Sequence, residues 1–187
     1  MKGANMRWSV LAVAILALTG CGYNRIQSLD EQANGFKSQI EVQLQRRADL
    51  VPNLVETVKG YAKQEQTVFG EVAEARAKLS GAVQGGDLSQ MANANQNLTG
   101  ALGRLIAISE AYPQLKSNEN FLALQTQLEG TENRIAVERQ RFNTTVQTYN
   151  TTVRRFPESF IAGLRGFHEK AYFTAKEGAE NAPAVQF

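Results

Sequence analysis

The stretch RRADLVPNLVETVKGYA, residues 46–62, decides how many helices the chain makes. Upstream of it Ile26, Leu29, Ala33, Phe36, Ile40 and Leu44 recur three or four residues apart, the spacing of one face of an α-helix. Pro52 interrupts. A proline disfavours helical backbone at Val51 and offers no N–H to the preceding turn, so the first helix is expected to end near Asp49. The missing N–H costs nothing at a first helical position, which lets Pro52 open the next helix.

Working outward, Leu54, Val58, Tyr61, Glu65, Val68, Val72, Ala75, Leu79 and Ala82 alternate steps of four and three, with Glu65 the one polar break in the seam. QGGD at 84–87 is a stop signal, and Leu88, Met91, Asn95, Leu98, Leu102 and Leu105 mark a further helix that ends before Pro113. The last seam runs through Phe121, Gln125, Leu128, Glu132, Ile135, Arg139, Phe142, Val146, Tyr149 and Val153. No run alternates with period two. The pattern predicts helices over about 26–49, 53–83, 88–110 and 118–156 in one domain, 26–156. A single kinked helix over 26–83 would be about 90 Å long, more than the later helices could cover. Short connections favour antiparallel neighbours, so the expected fold is all-α, an antiparallel up-down four-helix bundle with long helices. Residues 157–187 are expected as a short helical or irregular tail over the open end of the core.

The N-terminus reads as an export signal over residues 1–20: Lys2 and Arg7 carry charge, Val10–Leu18 is apolar, and small residues precede Cys21. The apolar run is short for a bilayer. Removing that leader takes the formal net charge from +2 to zero, which leaves no basic excess to bind nucleic acid. Cys21 is the single cysteine, so no intrachain disulfide can form. LALTGCG at 16–22 resembles a bacterial lipoprotein box, which implies cleavage before Cys21 and its acylation, palmitate included, with residues 21–25 as anchor and tether. Such chains hold a domain on a membrane almost permanently. By the same resemblance the domain lies in the periplasm of the cell envelope, and Gly22 in place of Asp favours the outer membrane.

Three charged positions fall on seams. Counted from the turns at 48–52 and 111–117, Glu65 and Glu132 are expected at a similar level, with Asn97 near them and Arg139 two turns away. A metal site of the bundle type needs inward carboxylates and Glu-x-x-His pairs. The only histidine is His168, in the tail, so no metal and no cofactor is expected. The expected role of Glu65, Glu132, Arg134 and Arg139 is a paired polar layer that sets register. The competing reading is an ion-binding or enzymatic bundle built on Glu65 and Glu132. No glycine-rich phosphate loop or nucleophile turn is present.

Three stretches carry a wider resemblance: RRADLVPNLVETVKGYA at 46–62, GALGRLIAISEAYPQLKSNENFLALQTQLEGTENRIAVERQRFN at 100–143, and YNTTVRRFPESFIAGLRGF at 149–167. In this order they closely resemble the LemA family of bacterial envelope proteins. The resemblance implies a helical, bundle-like domain attached to a membrane at its N-terminus, with no known enzymatic activity. Many relatives have a transmembrane helix where this chain has the lipoprotein box, and often His-Glu where it has Gln64-Glu65. On the expected bundle two stretches meet at the distal turns, bringing Arg46, Arg47, Asp49, Pro52 and Asn53 toward Tyr112, Pro113, Asn118 and Asn120. Of these Arg46, Arg47, Asp49, Asn53, Tyr112, Asn118 and Asn120 are candidate partner-binding residues, beside their simpler reading as caps and turns. The expected function is a non-catalytic, membrane-anchored envelope protein that binds one or more envelope proteins, with self-association left open.

Overall fold

The computed structural model describes residues 2–174, with side chains from Gly22 onward. Cys21 and the leader side chains, and residues 175–187 of the tail, lie outside that description. Helix α1 spans Lys2–Lys59, α2 Gln66–Gly85, α3 Leu88–Ile108, α4 Pro113–Lys116, α5 Glu119–Arg154 and α6 Glu158–Arg165, with a 3-10 turn at Ser109–Ala111. The fold is all-helical, with no strand among the described residues. Among them, no helix is long and apolar enough to cross a membrane.

The first helix does not end at Asp49. It continues through Pro52 to Lys59, and the physical reason lies on another helix. Proline at 52 leaves the carbonyl of Ala48, four residues back, without its helical donor. Arg76 of α2 donates its Nε–H to that oxygen at 2.9 Å. The apolar stripe also crosses the proline without losing phase, since Leu44, Ala48, Val51, Leu54 and Val58 are all buried. The break comes instead at residues 60–65, where Gly60 and the polar run Lys63–Gln64–Glu65 supply little to bury. There the amides of Tyr61 and Ala62 both bond back to the carbonyl of Val58. The expected helix over 53–83 is therefore the end of α1 and, after that break, α2.

Other boundaries follow local chemistry. Gly86 takes a left-handed conformation, φ 69°, and its amide bonds to the carbonyls of Ala82 and Val83, closing α2. Asp87 caps α3 by accepting from the amide of Gln90 at 2.7 Å. Asn118 caps α5, its Oδ1 accepting from the amide of Phe121 at 3.0 Å.

The chain forms two compact units, and α1 and α5 contribute to both. One comprises Ser38–Arg139 and the segment from Phe173. Here the end of α1, α2, α3 and the start of α5 run alternately up and down. Lys59 lies 5.7 Å from the ring centre of Phe69 while Arg76 reaches Ala48, which makes α1 and α2 antiparallel. Leu44, Leu54, Val72, Leu79, Met91, Leu98, Leu105, Phe121, Leu128 and Ile135 fill its interior. Each such side chain contributes roughly 1.5–3 kcal/mol on burial.

The other unit comprises residues up to Lys37 with Gln140–Tyr172. Ile26, Tyr149, Val153 and Ala162 form its core, with Leu29 and Phe167 packed against them. Its tail is held by an amide clamp: Asn150 donates Nδ2–H to the carbonyl of Lys170 at 2.9 Å and accepts the Lys170 amide on Oδ1 at 2.8 Å.

Candidate functional site

The polar layer inside the larger unit is built on Arg47, which is 4 % exposed. Its position on the buried stripe of α1, between Leu44 and Val51, aims the guanidinium inward. It donates to Asn95 Oδ1 of α3 at 2.6 Å and makes an ion pair with Glu132 of α5. Its Nε is buried without a hydrogen-bond partner. Burial pulls the Arg47 guanidinium below its ordinary value, against the opposing pull of the Glu132 carboxylate. Three helices are thereby tied at one level, and Arg76 on the neighbouring residue's carbonyl adds the fourth.

That arrangement differs from the expected layer in its members. Glu132 is in it. Glu65 is not: it precedes the first residue of α2, in the 60–65 break, and Arg47 lies twelve residues before the end of α1, about 18 Å of helix. With the break put at Pro52, Glu65 fell about a dozen residues inside a helix that in fact begins just after it. Arg134 is exposed, and Arg139 stacks its guanidinium over the buried Phe173 ring at 5.0 Å. Asn97 is exposed, and Asn95, two residues earlier on the seam, takes its place.

The proposed distal residues divide in the same way. Arg47 is interior. Arg46, Asp49 and Asn53 lie along α1 instead of at a turn; Asp49 accepts from Gln45 at 2.8 Å, and the carbonyl of Asn53 accepts from the Thr57 hydroxyl at 2.8 Å. The turn that Tyr112 and Asn118 meet is 60–65. Gln64 Nε2 donates to the Tyr112 hydroxyl at 3.4 Å, and Asn118 Nδ2 donates to the Tyr61 hydroxyl at 3.0 Å. Asn120 is exposed beside them.

Sequence reasoning missed the second cluster, in the smaller unit. Lys170 pairs with Asp30 at 3.0 Å, reaches Asn34 Oδ1 at 3.4 Å and lies 5.5 Å from the Tyr149 ring centre. Burial, and then the nearby Asp30 charge, raise the Tyr149 phenol above its usual value. The only trace in the sequence is Asn150 on the buried side of α5, a polar residue that needs a partner.

Chemically, a guanidinium that stays charged cannot serve as a base, and a carboxylate already neutralised by it is a poor ligand for a cation. Among the described residues, no three His, Cys, Asp or Glu side chains gather where a metal ion could be held. Fold and layer together define a class: helical proteins that pair a buried arginine with polar groups on neighbouring helices. The chain belongs to the LemA family, whose model matches residues 37–187. It is 28% identical over 200 residues to magnetosome protein MamQ of Magnetospirillum gryphiswaldense, covering 91% of this chain and 74% of that protein. It is similarly 28% identical over 196 residues to MamQ 2 and MamQ 1 of Paramagnetospirillum magneticum, covering 92% of this chain and 72% of each. Family and relatives support a membrane-associated envelope protein.

Proposed function

We propose that this chain is a non-catalytic envelope lipoprotein, tethered through acylated Cys21, that presents its helical domain in the periplasm for protein–protein interaction. The observation that carries this reading is the Arg47–Glu132–Asn95 layer, in which the polar groups best placed for chemistry already bond to one another. Leu-Thr-Gly-Cys after an apolar run supports the tether, and Gly22 supports delivery to the outer membrane. The exposed turns carrying Tyr61, Gln64, Tyr112 and Asn118 are the docking candidates, because turns at one end of a rigid scaffold are well placed for recognition.

Metabolic labelling with a fatty-acid analogue tests the tether: the native chain takes up label and sediments with membranes, and Cys21→Ser loses both. Label retained by Cys21→Ser would defeat it. Crosslinking in intact cells tests the docking role. A specific neighbour should be captured by the native chain and weakened by Tyr112→Ala or Gln64→Ala; capture unchanged by these variants would remove this surface from consideration.

A further inference from the structure

The proposed function leaves one feature of the smaller unit unused. Phe156, Phe160 and Leu164 are 81, 71 and 76 % exposed, although they follow one another at four-residue spacing into and along α6. The other side of α6 is buried through Ile161 and Ala162. Apolar side chains this exposed, two of them one helical turn apart on α6 and the third just before it, mark a surface meant to be covered.

Its position says by what. α6 is docked on the first residues after Cys21. A Cβ placed on Gly22 would come within 2.9 Å of Ile161 Cδ1 and 3.4 Å of Glu158 Cγ, so these two side chains of α6 pack directly against the backbone at Gly22. The Tyr23 ring centre is 6.0 Å from that of Phe167, and the Arg165 guanidinium lies 5.2 Å from the Tyr23 ring. The apolar face is thus carried close to the residue proposed to enter the membrane. Basic groups flank it. Arg25 and Arg155 line an adjoining groove with Thr148, Thr151, Thr152 and Glu158, and neither arginine makes an ion pair among the described residues. An apolar face bordered by arginines suits an interface of acyl chains and anionic headgroups.

We infer that α6 is a second membrane contact, laying Phe156, Phe160 and Leu164 into the lipid interface with Arg155 and Arg25 toward anionic headgroups. The inference rests on the tether at Cys21 only for where the membrane lies. The contact fixes how the smaller unit faces the bilayer, which one flexible acyl tether cannot do.

The test uses the full chain carrying Trp8→Phe, with a single new tryptophan from Phe160→Trp, reconstituted in phosphatidylethanolamine–phosphatidylglycerol vesicles whose acyl chains are brominated. Emission from the indole at position 160 should shift to the blue and be quenched, while the same chain in vesicles without bromine shows the shift without the quenching. Vesicle flotation of the same samples separates the two ideas. Flotation of the Phe160→Trp chain with its indole unquenched overturns the α6 contact and leaves the tether standing. Residual flotation of Cys21→Ser that falls roughly tenfold on neutral vesicles, and disappears with Phe160→Glu plus Leu164→Glu, supports the contact independently of the tether. A blue shift that follows protein concentration instead of lipid would overturn it in favour of self-association through α6. Melting of the Glu variants is measured alongside, and because the altered side chains are exposed it should match the native chain.

Discussion

Arg47 illustrates how one buried charge outweighs a surface reading. Placed at a turn, it would be a docking residue; at 4 % exposure its removal tests the interior. Breaking a buried pair by deleting one partner costs about 3–5 kcal/mol, whereas replacing both by apolar groups is often near neutral. Glu132 is part exposed, so Glu132→Leu is expected near the low end, about 3 kcal/mol in denaturant unfolding. Arg47→Met with Glu132→Leu should recover most of that loss. An additive double variant would show that the two residues are not coupled. Tyr149 predicts a pH effect of definite sign. Its phenol is held above the usual value by burial and by Asp30, so the folded chain keeps a proton that the unfolded chain releases. The stability this contributes is fully present below about pH 10 and is lost as pH rises through the folded value. Tyr149→Phe should flatten the alkaline side of a melting-against-pH curve; an unchanged slope there would contradict the assignment.

The elements show where periodicity served and where it misled. The seams on α1, α3 and α5 were legible because a helical stripe needs only spacing: Ile26, Ala33, Ile40, Met91, Leu98, Phe121, Ile135 and Val153 are all buried. Pro52 misled because its cost is local while its remedy is tertiary, and a rule about residues 48–52 cannot see Arg76. The stripe running unbroken through Val51, Leu54 and Val58 was the available sign. The same error displaced Glu65, so the candidate layer was half legible: Glu132 could be read from its seam, but its partner could not. This repair is measurable. Arg76→Ala should cost about 1 kcal/mol in the native chain and distinctly less when combined with Pro52→Ala, which restores the missing donor. Equal costs in both backgrounds would mean that the Ala48 carbonyl does not depend on Arg76.

For the whole molecule, α1 and α5 serve both compact units, while α2 and α3 belong to one and α6 to the other. The family could be read from three long stretches that follow one another in a fixed order. What lay beyond such reading was which polar groups meet, since Lys170 and Asp30, or Arg47 and Glu132, are far apart along the chain. With the Glu132 carboxylate already paired to Arg47, divalent cations at about tenfold their free cellular level should leave the melting temperature of the full chain unmoved. A saturable rise, with bound metal in elemental analysis, would favour the ion-binding reading. The Asn150 clamp has its own consequence. It grips the backbone N–H and C=O of residue 170 and not the side chain, so the clamp itself is indifferent to residue type with one exception. Lys170→Ala should leave the tail seated, giving up the side-chain contacts to Asp30, Asn34 and the Tyr149 ring, whereas Lys170→Pro, lacking the amide hydrogen, should release it to fast hydrogen exchange. Evolution can rewrite the tail here letter by letter and still keep its mooring, provided it never writes an imino acid.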